Sequence, residues 1–430
     1  MSSSRKSVTD LILHLHPPTV PARTLRFALS LGLGGMAATL IGLLFATGVL
    51  LLVIYRPAVD QAYDSILTLT RDVPFGRFVR NIHHASANIL VLVAVAHLLR
   101  VAATGAFGPG RRLNWGIGLA LLLLVLAANF TGYLLPWDQL AYWAVTICTS
   151  MLGYVPLCGD WLLELFRGGR DIGQPTLANF FVLHVAVLPG GLLLFLLWHF
   201  WLVRRAGGLV RSEGAADERL PVVPHLLARE AAVGLSLVAF VLLLALIWDA
   251  PLLAQANPGL SPNPAKAPWY FQGFQELLLH LHPVFAVVVW PLCGLAALMA
   301  MPLWPGSALP PGVWFGGGRG WRPAAWMSGL GVAVAVGAVL ADHFLLVSGG
   351  AAATGTWLTR GLLPTLFTAG LFVGTYLFWV RARGASRAEA VTACLFLALA
   401  LLAVCTVIGV WFRGPEMRLV WPWARTAGSV

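Results

Sequence analysis

Long apolar runs separated by shorter polar segments set the pattern of the chain. Runs near residues 29–54, 80–103, 114–134, 178–203, 230–250, 277–301, 324–347, 361–381 and 388–412 reach or approach the ~20 residues a helix needs to cross a bilayer core. They predict about nine transmembrane helices, and so an all-α polytopic membrane protein. Residues 1–27 read as a polar, proline-containing lead-in with amphipathic character and no cleavable signal peptide. The interval 135–176 is too long for a simple turn. Its stretches LPWDQLAYWAV and VPLCGDWLLELF predict two short helices lying on the membrane surface. The loop 251–276 is proline-rich and ends in aromatics.

Composition agrees: 59% of residues are hydrophobic and 10% charged, with a mean hydropathy of +0.81, which excludes an ordinary soluble domain. Charge sets an orientation. With nine spans, 17 of the 28 Lys and Arg residues and 6 of the 17 acidic residues fall on the N-terminal side, so the whole formal +11 lies there. The positive-inside rule places that side in the cytoplasm, and the basic balance needs no nucleic-acid partner. The expected location is a bacterial inner (cytoplasmic) membrane. The five cysteines, Cys148, Cys158, Cys293, Cys394 and Cys405, form no C-x-x-C motif, which argues against a zinc site or a c-type haem attachment.

Four histidines carry the chemistry. His83 and His97 are 14 residues apart in one apolar run, roughly 21 Å along a helix and about 40° around it. His184 and His199 are 15 apart in another, roughly 22 Å and about 60°. Two such helices can meet as two His–His pairs at two depths. His84 competes with His83 but is rotated about 140° from His97, so His83 is the better partner. A lone histidine in a membrane helix is more often a packing residue or part of a proton path. Two matched pairs read instead as axial ligands of two haems: His83 with His184 for the outer, His97 with His199 for the inner.

Glycines repeat the spacing. Gly34 and Gly48, and Gly118 and Gly132, are each 14 apart, and would give clearance for a flat macrocycle; small-residue helix packing is the plainer reading. Arg80 and Arg100 lie one turn from His83 and His97. They could pair with haem propionates or simply snorkel at helix ends.

RNIHHASANI, LLPWDQLAYWAV, GQPTLANFFVLH and the histidine spacing resemble the cytochrome b subunit of Rieske-type quinol oxidoreductases, the cytochrome bc complexes. IYRP near Arg56 and RRLNWGIG near Trp115 are closer to the chloroplast-type b subunit. The resemblance covers about residues 25–210, weakens to about 300 and is loose beyond 305. It implies a dihaem N-terminal domain with a four-helix haem bundle (1–222), a C-terminal cytochrome b-like domain with the quinol loop (223–385), and an extra helix and tail (386–430). It also implies two b-type haems, a quinol and quinone, a Rieske iron–sulfur protein and a c-type cytochrome as partners, contact with membrane lipid, and a homodimer. Quinol would be oxidised on the outer side near Trp269 and Tyr270. Electrons would cross through the haems to an inner quinone, with protons released outside.

Three departures matter. The family's Pro-Glu-Trp-Tyr loop is here Ala267-Pro268-Trp269-Tyr270, so its acid is missing. Glu276, His280 and His282 are candidate replacements, although Glu276 also suits a helix N-terminus. The change would suit a lower-potential quinol such as menaquinone's reduced form. Gly32 stands where the chloroplast type has a haem-anchoring cysteine, so no covalent haem is expected. The tail FRGPEMRLVWPW would lie outside, against a partner subunit, and His343 beside Asp342 reads as structural. Alternatives are a quinone-reactive dihaem anchor of a dehydrogenase, a family member that kept haem but lost quinol oxidation, and a proton-linked transporter without haem.

Overall fold

The computed structural model describes residues 18–210, 218–347 and 357–423; the first 17 residues of the expected lead-in lie outside these. The helices are α1 (Leu33–Leu52), α2 (Ala62–Arg71), α3 (Gly76–Ala103), α4 (Arg112–Leu134), α5 (Gln139–Ser150), α6 (Gly159–Arg167), α7 (Gln174–Arg205), α8 (Val222–Ile247), α9 (Gln272–His280), α10 (Phe285–Leu303), α11 (Trp321–Phe344), α12 (Trp357–Ala382) and α13 (Arg387–Phe412). Nine of them, among the described residues, are long and apolar enough to cross a membrane. The fold is therefore the all-α polytopic one expected, and α5 and α6 are the two short helices between α4 and α7.

Three details differ from the expectation. The span predicted from residue 29 begins at Leu33, because Leu31 and Gly32 adopt left-handed conformations (φ 51° and 64°) that stop a short preceding turn of helix. The run 277–301 is divided. Helix α9 ends at His280, Leu281 is extended (ψ 155°), and helix resumes only at Pro283, since a proline disfavours helix in the residue just before it. Helix α2 was not foreseen. It is ten residues long, below span length, and buries Ala62, Ser65, Ile66 and Leu69 on one face, as 3–4 spacing demands.

The chain forms two compact units. One comprises Met1–Gly132, Phe181–Pro251 and Pro302–Gly318; the other comprises Tyr133–Phe180, Leu252–Met301 and Arg319–Val430. In the first, α3 packs along α1 and α8. Strands β1 (Thr19–Pro21) and β2 (Arg219–Pro221) pair antiparallel, over a small core of Val20, Leu25 and Val222. The segment after α10 closes on the end of α3: Gly312 N–H donates to Thr104 O at 2.9 Å. Gly105, at φ +61°, sits so close to the Leu309 carbonyl that a side chain there would collide. In the second unit α13 packs against α11 and α9. Gly331 allows the close approach of α11, since a Cβ there would lie 2.9 Å from the Ala400 Cβ. Helix α13 starts at a capping box of Ser386 and Glu389, which satisfies its first backbone N–H groups.

Three spans carry a widened π turn just ahead of a proline: Leu183–Val187 in α7, Phe285–Val289 in α10 and Trp357–Leu362 in α12. Each is followed within two residues by a proline, Pro189, Pro291 and Pro364. The cause is common to all. Proline offers no N–H and its ring crowds the carbonyl four residues back, and a wider turn relieves both.

Candidate functional site

Helices α1, α3, α4 and α7 bring the four histidines together in pairs. The ring centroids of His83 and His184 lie 6.2 Å apart with planes inclined by 74°; those of His97 and His199 lie 6.5 Å apart at 73°. The unequal spacings of 14 and 15 residues resolve through the π turn of α7. It takes up one extra residue, so the two histidines of α7 face the same way as the two of α3. Pro189 was the signal in the sequence. His84 is exposed and turned toward Asn88, whose Nδ2 donates to the His84 carbonyl at 2.9 Å.

Each ring rests on a glycine of the neighbouring helix. A Cβ on Gly48 would lie 3.5 Å from His83, on Gly34 3.4 Å from His97 and on Gly118 3.6 Å from His199; on Gly132 it would overlap the His184 ring. In this structure the glycines seat the imidazoles, a closer role than general clearance.

The backs of the rings are held unequally. Thr47 donates its hydroxyl to Leu43 O at 2.7 Å, so its oxygen is left to accept from His83 Nδ1 at 2.9 Å. His184 Nδ1 donates to Ala128 O at 2.9 Å, with Thr131 Oγ1 beside it at 3.4 Å. These bonds put the proton on Nδ1 and leave Nε2 of both rings free to bind a metal. His97 Nδ1 and His199 Nδ1 are buried and reach no such partner among the described residues; for His199 the nearest is the Asn114 backbone. Thr47 and Thr131 were missed from the sequence, although each stands in a Thr-Gly pair one residue before a seating glycine.

This donor set fits haem. Two imidazoles that each bind one metal at about 2 Å need ring centroids roughly 6 Å apart, and both pairs show that separation. A bare ion would draw on three or four protein donors, and among the described residues no group of three or more His, Cys, Asp or Glu is placed to hold a metal ion. Two opposed imidazoles suit a metal whose other positions a macrocycle fills. Arg100 is buried, with Nε donating to Leu29 O at 2.8 Å and Nη2 without a partner among the described residues, as a propionate-binding cation would be. Arg80 instead spends two donors on the Ala250 and Pro251 carbonyls, at 2.8 and 2.7 Å. Beside it Arg77 pairs with Asp249, and this hydrogen bond together with one from Asn81 holds the Asp249 carboxyl down at about 2.

The second unit holds the expected quinol-loop residues. Asp138 caps α5 by accepting from Ala141 N at 2.8 Å and ties in the loop by accepting from Leu253 N at 2.9 Å. Gln139 adds a bond from Asn257 N at 2.6 Å. Helix α5 and the loop are thus one piece. Trp269 and Tyr270 form a short turn leading into α9. The Tyr270 hydroxyl is buried without a partner among the described residues, and burial raises its pKa well above the usual value. Tyr133 and Cys148 lie within electrostatic reach of it; burial pushes the Cys148 thiol up to about 12.

Glu276 lies in the second turn of α9 and is 0% exposed, so helix-terminal charge does not explain it. Arg413 donates to it through Nη2 at 2.5 Å and Nε at 3.0 Å. His280 Nε2 stands 3.0 Å from Glu276 Oε1, and His280 Nδ1 2.7 Å from Asp342 Oδ2. Burial alone would raise the Glu276 pKa; the bonds from His280 and Arg413 outweigh it and hold the carboxyl below its ordinary value. Asp342 and Arg413 stand 62 and 133 residues from His280, so no local pattern marked them. His282 donates its backbone N–H to Arg360 O at 2.8 Å, while its Nδ1 is buried without a partner among the described residues. His343 packs its ring on Phe344, 5.0 Å between centroids.

Matched imidazole pairs within an all-α membrane protein are the donor set of a membrane redox protein that carries haem. Comparison with known proteins bears on the same point. Residues 23–207 match the family model for cytochrome b/b6/petB. Cytochrome b6 of Prochlorococcus marinus strain MIT 9515 is 42% identical over 175 residues, covering 41% of this chain and 80% of the relative. Cytochrome b6 of strain NATL1A is 41% identical over the same coverage. A chain of a hyperthermophilic respiratory Complex III shares the fold across 94% of this chain and 96% of its own, with TM-score 0.67 and 19% identity. The chain belongs to the cytochrome b/b6 family: it is a haem-binding, electron-carrying membrane subunit of a quinol oxidoreductase.

Proposed function

We propose that the chain is the dihaem cytochrome b of a bc-type complex. His83 with His184 and His97 with His199 would hold two b-type haems, with Arg100 the strongest candidate for a propionate. Haem supplies reversible one-electron iron chemistry. The residues around it set the ring tautomer, fix the ligand planes and exclude water. The observation that carries the reading is the equality of the two pairs: 6.2 and 6.5 Å, 74° and 73°.

Quinol would be oxidised beside Trp269 and Tyr270 on the side away from the N-terminus. The buried Tyr270 hydroxyl would hydrogen-bond a quinone oxygen. Quinol oxidation there would release two electrons and two protons, one electron for the group that His83 and His184 would hold and one for an iron–sulfur protein of Rieske type with a c-type cytochrome beyond it. The hydrogen-bonded chain Glu276–His280–Asp342 supplies the acid–base groups that Pro268 lacks, and would take a proton outward. His97 and His199 would hold the group that serves a quinone site on the N-terminal, cytoplasmic side, where reduction of quinone would couple electron flow to proton translocation. We place the complex in a bacterial inner membrane as a homodimer, with residues 1–222 as the haem domain and menaquinone as a suitable quinone.

The test is a reduced-minus-oxidised spectrum with haem counted per chain, using dithionite in one sample and a quinol in another. Two b-type haems, both reducible by quinol, are expected. One haem or none per folded chain overturns the ligand assignment. Two haems that quinol leaves oxidised overturn the quinol site.

A further inference from the structure

The two histidine pairs match in separation and tilt yet differ behind the rings. The His83/His184 pair has an acceptor on each Nδ1, Thr47 Oγ1 and Ala128 O, both at 2.9 Å. Behind the other pair, His97 Nδ1 is buried without a hydrogen-bond partner among the described residues, and His199 has only the Asn114 backbone beside it. The sequence mirrors this. The residue before each seating glycine is Thr47 and Thr131 at one level, and Leu33 and Ile117 at the other.

We propose that Thr47 is a positioning residue for the His83/His184 pair: by accepting from His83 Nδ1 it lowers the reduction potential of the haem that this pair would hold. The physical chain is short. An acceptor on Nδ1–H draws that proton away and shifts electron density toward Nε2, the iron-binding nitrogen. A more electron-rich ligand favours ferric over ferrous iron, and second-shell hydrogen bonding is one of the protein's levers on haem potential. The geometry fixes the sense of the bond: the Thr47 proton is committed to Leu43 O at 2.7 Å, so the hydroxyl acts on His83 as an acceptor. Thr131 is a weaker contributor, since it stands at 3.4 Å from a nitrogen that Ala128 O already holds at 2.9 Å. Thr47 is a positioning residue and touches no reacting atom.

This rests on the two-haem reading, and the haem count tests that first, separately. The experiment is a spectroelectrochemical titration of the assembled complex, wild type against Thr47→Val and Leu33→Thr. The haem signal that His97→Ala removes identifies the second pair. Thr47→Val keeps the shape and loses the acceptor. It should raise the potential at His83/His184 so that the electron partition between the haems shifts about tenfold, about 59 mV for one electron. Leu33→Thr places a hydroxyl in the equivalent position beside His97 and should lower the other potential, narrowing the gap from the opposite side. Unmoved potentials in Thr47→Val with both haems retained overturn the proposal. If Thr47→Val loses haem, Leu33→Thr decides alone, and an unchanged potential there overturns it equally.

Discussion

A methyl group at Gly132 should cost the protein one haem, whereas the same change at Gly48 or Gly118 should not. A Cβ on Gly132 would overlap Cε1 of His184 and lie 2.9 Å from both ring nitrogens. Neither neighbour can yield easily, because the ring is tied to the Ala128 carbonyl one turn back on the same helix. Forcing one methyl into a packed site typically costs about 1–3 kcal/mol. An Ala in place of Gly inside a helix returns at most about 1 kcal/mol. The net loss of up to about 2 kcal/mol falls on the seat of one ligand and corresponds to a roughly 30-fold weaker hold at that pair. At Gly48 and Gly118 the added Cβ meets its histidine at 3.5 and 3.6 Å, ordinary contact, and only the helix-propensity gain remains. The assay is haem per purified chain from pyridine haemochrome spectra, with His97→Ala marking the site that persists. Full retention at both sites in Gly132→Ala, or equal loss in Gly118→Ala, would refute the claim that these glycines seat the rings.

Other expectations concern single contacts. His97→Ala should remove one haem and leave the His83/His184 site loaded at least in part, read from the same spectra; His84→Ala should spare both. Tyr270→Phe should slow haem reduction by quinol while dithionite reduction stays complete, since only the buried hydroxyl is lost. Glu276→Gln leaves Arg413 buried without its charge partner, which for a pair of this burial costs about 3–5 kcal/mol. Heating in detergent should therefore aggregate Glu276→Gln, and the double variant Glu276→Leu with Arg413→Leu should be far milder. Asp249 is held at about 2 in the folded chain, below its ordinary value of about 3.9. Its contribution is therefore complete above pH ~4 and lost as pH falls through about 2; acid titration by circular dichroism should show that step, and Asp249→Asn should lack it.

Spans and the matched histidine pairs were legible because both depend on local chemistry. A bilayer demands ~20 apolar residues in a row, and a ligand pair demands histidines at a helical repeat. The glycines were legible as a repeat, but nothing in the sequence says which ring meets which backbone. The breaks at Leu31–Gly32 and at Leu281–Pro283 were readable only in part. Proline was visible, but apolar continuity across it outweighed it in a hydropathy reading. What stayed hidden is what distance in sequence hides. Arg413 on Glu276, Asp342 on His280, and the carbonyls of Ala250 and Pro251 that take up Arg80 are contacts between segments 62 to 171 residues apart. Each is set by packing of whole helices. Thr47 lay between these cases, in a Thr-Gly pair whose counterpart, Thr131-Gly132 in α4, stands at the same level of the histidine ladder.

The interleaving of the two compact units has a consequence for biosynthesis. The first unit needs α8 and the segment Pro302–Gly318 before it is whole, and the second needs Tyr133–Phe180 from early in the chain. Six spans are therefore made before either body can close. A polypeptide divided anywhere in 211–217 would yield two fragments, each holding pieces of both bodies and a complete version of neither. Such halves would depend on each other for completion and would have to be made together in the same membrane, in equal number. For this architecture, carrying the protein as one gene is a means of guaranteeing stoichiometry.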